Sequence, residues 1–288
     1  MRQSVLNLIF SLIGLSIGYG IALLTGLHII QEAVIGAFII QWMAFIPAYL
    51  GQTEKFYDLI DSCTYVFVVG YVYFPNWSEP SVNWGSLLLA AFIVLWAARL
   101  GTFLFLRIKK NKEDKRFASI KPSPTRFFMA WTLQGMWVSL CAMCALTAIA
   151  SDQGVVLNLF FYAGALVFDT GFAMEVIADR QKSIFRENPN NKDQFIQHGL
   201  WRHSRHPNYF GEITLWTGIS IMSFSSLSGG QYITLISPVF TYILLVYISG
   251  VRILEEAGSE KWGHLAAYQA YVRETPALFP ALRKKNKT

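Results

Sequence analysis

Eight mostly apolar runs recur along this chain, at roughly 5–25, 33–50, 59–75, 85–106, 127–150, 155–178, 208–227 and 231–251. Each approaches the roughly 20 residues that an α-helix needs to cross about 30 Å of hydrocarbon. Apolar runs of that length predict helices in a bilayer, so the expected fold is an all-α, polytopic integral membrane bundle of about eight spans. Composition agrees: 53% of the residues are hydrophobic and 15% are charged, against about a quarter charged in soluble domains. The first run follows Arg2 and lacks a clear small-x-small cleavage site. It is longer than a leader's apolar region of about 7–15 residues, which predicts a membrane helix. The third run is the shortest reading, with Asp58 and Asp61 at its start and Pro75 at its end.

Charge placement orients the bundle. If the eight spans alternate, Arg2, Lys55, the run 107–126, the segment 180–206 and the tail after 251 share one side, and all 24 Lys and Arg residues fall there when Arg99 is counted with the end of its helix. The opposite loops, 26–32, 76–84, 151–154 and 228–230, carry none. This asymmetry predicts that both termini are cytoplasmic. Membrane orientation accounts for the net charge of +6, so no nucleic-acid partner is expected. Localisation follows: the cytoplasmic membrane in a bacterial host, the endoplasmic reticulum in a eukaryotic one. Cys141 and Cys144 lie inside an apolar span and Cys63 stands alone, so neither a disulfide framework nor a metal site is expected. With no repeat and no polar stretch long enough for a second core, residues 1–288 are expected to form a single membrane domain.

Charges inside spans are costly and usually face a cavity or a partner. Arg99 sits near the end of the fourth run, and Arg107 opens the basic loop. In the sixth run, Glu175, Asp179, Lys182 and Arg186 are spaced by 4, 3 and 4, which places them on one helix face. The acids lie deep and the bases near water, as in the wall of a polar cavity open to the cytoplasm. The stretch "GLWRHSRHPNYFGE" follows, with Arg202, Arg205 and His206 just before Pro207. Proline suits the first turn of a helix, and unpaired N–H groups there favour an anion. This end of the seventh span is therefore expected to hold phosphate. Asn208, Tyr209 and Glu212 come next, and Glu212, one turn inside, needs a partner such as a ribose or an amide. The tail reads as an amphipathic segment with Arg252, Glu255 and Glu256 at its root and Trp262, Leu265, Tyr268 and Val272 as its buried stripe.

Together, "QTEKFYD", "ARLGTFLFLRIKKNKEDKRF", "EVIADRQKSIFR", "GLWRHSRHPNYFGE" and "YQAYVRETPALFP" resemble the steroid 5-alpha-reductase and membrane sterol reductase family, including its bacterial branch. The reductase-like core would cover about 85–280. The resemblance implies a helical bundle with a cytoplasmic cavity for NADPH. It implies an apolar substrate arriving from the lipid, such as a steroid, a sterol or another enone. It also implies a reaction that saturates a conjugated C=C bond by hydride transfer plus protonation. Arg99, Asp179, Arg186, Asn208, Glu212, Arg252 and Glu256 match the family's cofactor contacts. Tyr268 is nearest to a tail tyrosine proposed as proton donor. Trp96 stands where the steroid enzymes carry a catalytic tyrosine, which leaves Glu54, Tyr57 and Tyr268 as candidate donors. The expected cofactor set adds Arg107, Glu175, Lys182, Arg202, Arg205, His206 and Tyr209.

The strongest alternative is an S-adenosylmethionine-dependent methyltransferase of the isoprenylcysteine carboxyl type. That family shares Arg-His-Pro-x-Tyr and a Glu-Glu tail, here "LEEAGSEKWGHLAAYQAYVRETP". The basic loop, the Glu175–Arg186 face and Glu212 favour the reductase, because S-adenosylmethionine has no phosphates. A di-iron oxygenase needs about eight histidines, and the chain has five.

Overall fold

A computed structural model of the chain describes residues 2–75, 82–111, 113–114 and 117–281, without the side chain of Asn111. Most of the expected 76–84 loop therefore lies outside the described residues, as do Lys112, Lys115 and Arg116 of the basic loop and the basic run at 283–287. Every expected span is helical, and no strand occurs among the described residues. Ten α-helices are described: α1 (Arg2–Leu24), α2 (His28–Leu50), α3 (Tyr57–Tyr73), α4 (Trp84–Asn111), α5 (Pro124–Ile149), α6 (Leu159–Glu187), α7 (Pro207–Ser223), α8 (Ser237–Ile243), α9 (Val251–Trp262) and α10 (Ala266–Glu274). Among the described residues, six helical stretches are long and apolar enough to cross a membrane: α1, α2, α4, α5, α6 and the stretch Gly229–Trp262. The chain thus has the character of a multi-pass membrane protein. The third and seventh expected spans are helices of 17 residues each, shorter than these six and not among them.

The chain forms two compact units. The first comprises Met1–Tyr162 and Ser220–Ser237. Its axis is α5, 83% of whose apolar stretch is buried, against 28–33% for the other five candidate spans. The sequence explains the difference. From Ser139 to Ala148 the helix carries Ser, Cys, Ala, Met and Thr with two leucines, all buried, and small side chains let neighbouring helices approach on every side. Pro124 at the first turn and the Ser123 side chain, which accepts from the Arg126 N–H, start the helix. Polar side chains bridge helices within this unit: Gln41 Nε2 donates to Thr64 Oγ1 at 2.8 Å, and Trp42 Nε1 to Thr132 Oγ1 at 3.0 Å.

The second unit comprises Ala163–Ile219 and Pro238–Thr288. Here α6 and α7 touch backbone to backbone. A Cβ on Gly211 would stand 2.7 Å from the Glu175 nitrogen and from the Gly171 carbonyl oxygen, and one on Gly218 would stand 2.6 Å from the Gly164 carbonyl oxygen. Two glycines seven residues apart on each helix bring the axes together. The eighth apolar run is not one regular helix. A 3-10 segment (Gly229–Ile236) leads into α8, which ends in a π turn (Leu244–Ile248) before Gly250 redirects the chain into α9. The tail departs from its expected single stripe. Gly263 ends α9, α10 restarts at Ala266, and the buried positions are Tyr268 and Tyr271, while Leu265 is 38% exposed. A helix break resets the 3.6-residue phase, so residues before and after it no longer share a face.

Candidate functional site

The Arg-His-rich stretch of the second unit is built as a clasp. Gly199 takes a left-handed φ of +61°, which turns the chain at little cost. The next residues lock onto α6. Leu200 N–H donates to Gln181 Oε1 at 2.9 Å, and Trp201 Nε1 donates to the Ala178 carbonyl at 3.1 Å. Lys182 then lies 4.4 Å from the centroid of the Trp201 ring. Residues 203–206 pair with the segment after α10. Arg205 and His206 N–H groups donate to the Pro276 and Ala277 carbonyls, and Ala281 N–H to the His203 carbonyl, each at 3.0 Å.

Arg205 is the centre of this clasp. Its Nε and Nη2 donate to the two carboxylate oxygens of Glu255 at 3.1 and 2.8 Å. Its Nη1 donates to the carbonyls of Val272 and Thr275 at 2.7 and 2.5 Å. These carbonyls lie at the C-terminus of α10, where a cation meets the negative end of the helix dipole. His206 is 5% exposed, stacks on Tyr209 with centroids 5.7 Å apart, and faces Glu255 Oε1 through Nε2 at 2.7 Å. Burial pushes the His206 imidazole below its ordinary value, although the Glu255 carboxylate pulls the other way.

Beside the clasp, α6 and α7 carry a polar wall. Asn208 Nδ2 donates to Asp179 Oδ1 at 3.3 Å. Glu175, Asp179 and Glu212 are 2%, 7% and 6% exposed. Along α6 the face grades outward, through half-buried Lys182 to exposed Arg186. Arg202 is exposed at the mouth of the clasp. The structure therefore brings together Glu175, Asp179, Asn208 and Glu212, and separately Arg205, His206 and Tyr209. Arg252 and Glu256 lie elsewhere on α9, as a pair 3.4 Å apart that is 68% and 65% exposed.

The inward-facing acid of α9 is half-buried Glu255, 26% exposed, which the expected cofactor set passed over. The phase of the helix carries the missed signal. Val251 and Gly258 are its buried residues, and Glu255 shares their face at i+4 and i−3. Tyr268 is 7% exposed and packs against Phe195 and Trp262 at 5.1 and 5.9 Å. Burial first, and the Glu255 carboxylate next, push its phenol above the usual value.

The remaining candidates belong to the first unit. Glu54 is 2% exposed and accepts from Lys121 Nζ at 2.5 Å and from the Asp114 N–H at 2.8 Å. Burial opposes its charge, yet Lys121 and the backbone N–H hold its carboxyl below the usual range. Placed so, it is ionised at neutral pH and accepts hydrogen bonds rather than donating a proton. Tyr57 donates to the Ala130 carbonyl at 2.9 Å, with its ring between Phe117 and Trp131. Arg99 and Arg107 both lie against the Phe103 ring, at 5.2 and 5.9 Å.

Comparison with known proteins adds three findings. The family described as "Protein of unknown function (DUF1295)" matches residues 44–275. The probable O-methyltransferase ustE of Ustilaginoidea virens is 29% identical over 116 residues, 35% of this chain and 40% of that protein. An uncharacterized protein of Schizosaccharomyces pombe is 23% identical over 225 residues, 68% of this chain and 64% of that protein. The chain thus spans less than two thirds of the length of these curated relatives. No solved structure matches.

Proposed function

The chain belongs to the DUF1295 family, and from that premise we propose that it is a membrane enzyme, an NADPH-dependent reductase of a conjugated C=C bond in an apolar lipid, steroid or sterol. The observation that carries this reading is the graded face of α6, from buried Glu175 and Asp179 out to half-buried Lys182 and exposed Arg186, with Asn208 bonded to Asp179. Carboxylates and an amide suit ribose hydroxyls and a carboxamide, whereas cations nearer water suit phosphates. The residues present fit such a molecule. When bound, it would supply hydride to the β-carbon of the alkene. Asp179, Asn208 and Glu212 would fix the ribose and amide. Lys182, Arg186 and Arg202 would hold the phosphates. Arg205 and His206 would act on the site by anchoring the tail. Tyr268 keeps its proton at neutral pH and is the donor this reading favours on the same unit. The substrate and membrane lipids are the expected partners.

A second reading, methyl transfer from S-adenosylmethionine, is favoured by the name of the Ustilaginoidea virens relative. The acids of α6 and α7 would also attract a sulfonium. Titration of the purified protein with NADPH, NADH and S-adenosylmethionine separates the two. NADPH should bind more tightly than NADH, and Asp179→Asn or Asn208→Ala should weaken it about tenfold, the loss of one charge-assisted hydrogen bond. Binding of the methyl donor alone sinks the reductase reading.

A further inference from the structure

The turn between α2 and α3 and the basic end of α4 enclose a pocket of about 330 Å³, lined among the described residues by Lys55, Phe56, Phe105 and Lys109. That volume lies at the low end of the usual range for small-ligand sites, about 300–1,000 Å³. The Phe56 and Phe105 rings stack with centroids 5.9 Å apart and form an apolar floor, and Phe56 is 51% exposed. Lys55 and Lys109 are both exposed at the rim.

Two like charges share this small space. Glu54, the acid next to Lys55, does not offset them, because its carboxylate is turned inward onto Lys121 and the Asp114 N–H. Like charges placed together repel unless an anion sits between them. The end of α4 also carries Lys110, and juxtamembrane lysines are where anionic headgroups collect. A free phosphate would satisfy the lysines and leave the two phenyl rings in water. A molecule with a phosphate joined to acyl chains covers both features.

We propose that this pocket binds an anionic phospholipid, its phosphate between Lys55 and Lys109 and its first acyl carbons on Phe56 and Phe105. The site is independent of the nucleotide reading. The test is native mass spectrometry of the full chain released from nanodiscs of phosphatidylglycerol mixed with phosphatidylcholine. Wild type should retain phosphatidylglycerol in preference to phosphatidylcholine. Lys55→Gln and Lys109→Gln should each lower that preference about fivefold, the equivalent of about 1 kcal/mol per lysine. Lys192→Gln, which removes the same charge from an exposed position elsewhere, should leave it unchanged, and glycerol 3-phosphate should not displace the lipid. The proposal is overturned if the protein carrying both Lys55→Gln and Lys109→Gln keeps the wild-type preference, if Lys192→Gln loses as much, or if glycerol 3-phosphate competes.

Discussion

Around α5, small and apolar side chains hold helices together: Phe38 lies against Gly135, and Cys141, Ala142, Cys144, Ala145 and Ala148 of α5 are fully buried. Around α6, α7 and the tail, the joints are backbone contacts between glycines and a polar clasp of Arg205, His206 and Glu255. The contrast follows from the solvent available to each. Inside a bundle of apolar helices, packing supplies the contacts and polar groups need only pair locally. At the basic end of the chain, α9 and α10 carry too little apolar surface to be held by burial alone, so directional bonds do the holding. A fold fixed by packing tolerates volume-conserving exchange, whereas a joint fixed by a half-buried, multiply bonded ion pair is weakened by the loss of either partner.

Six variants test this contrast. Arg205→Ala removes four hydrogen bonds of about 1 kcal/mol each, two to the half-buried Glu255 and two to the end of α10, and should cost about 3–5 kcal/mol, lowering the melting temperature in detergent more than any other single change named here. A loss under about 1 kcal/mol would show that the clasp does not hold the tail. Gly211→Leu forces a side chain into the α6 backbone and should cost about 3 kcal/mol, at the upper end for overpacking. Cys144→Ala, in the packed core of α5, should cost less by the same melting assay.

Glu54→Gln should cost about 2 kcal/mol through the loss of charge-assisted bonds to Lys121 and the Asp114 N–H. It also carries a pH signature. The folded carboxyl sits below its unfolded value of about 4.3, so its contribution is complete above that pH and is lost as pH falls through the lower folded value. The variant should show a flatter acid limb. His206 acts in a higher window. Its folded value lies below the unfolded 6.5 or so, so stability falls as pH drops below about 6.5, and His206→Gln should flatten that decline. Glu255, Arg205, Lys182 and the stacked Tyr209 all face this imidazole, so the profile should be read in each background. The smallest effect belongs to Arg252→Ala. Its pair with Glu256 is mostly exposed, and such pairs contribute about 0–0.5 kcal/mol.

Apolar run length made the helices legible before any coordinates, because run length reflects the thickness of the solvent and depends little on side-chain detail. The polar face from Glu175 to Arg186 was legible for a related reason: charges at helical spacing point one way. Helix type was not. Apolarity does not distinguish a 3-10 segment or a π turn from an α-helix, so the breaks at Gly229–Ile236 and Leu244–Ile248 left no mark in the pattern. The close crossing at Gly171 and Gly211 could have been read from the seven-residue spacing of glycines on both helices. The choice of Glu255 over Glu256 needed the phase of α9, which a helix of 12 residues fixes only once its ends are known. The engagement of Arg205 by the end of α10 joins residues some 70 positions apart and had no local signature.

Four of the guanidinium N–H bonds of Arg205 are committed, two to a carboxylate side-on and two to the Val272 and Thr275 carbonyls, three residues apart. A lysine offers three donors at a single point and cannot span that fork. Exchange of these two residues, neutral in many surface positions, would here uncap a helix and leave Glu255 with His206 as its remaining side-chain partner in the clasp. Drift at this codon is therefore closed off unless α10 is rebuilt alongside it.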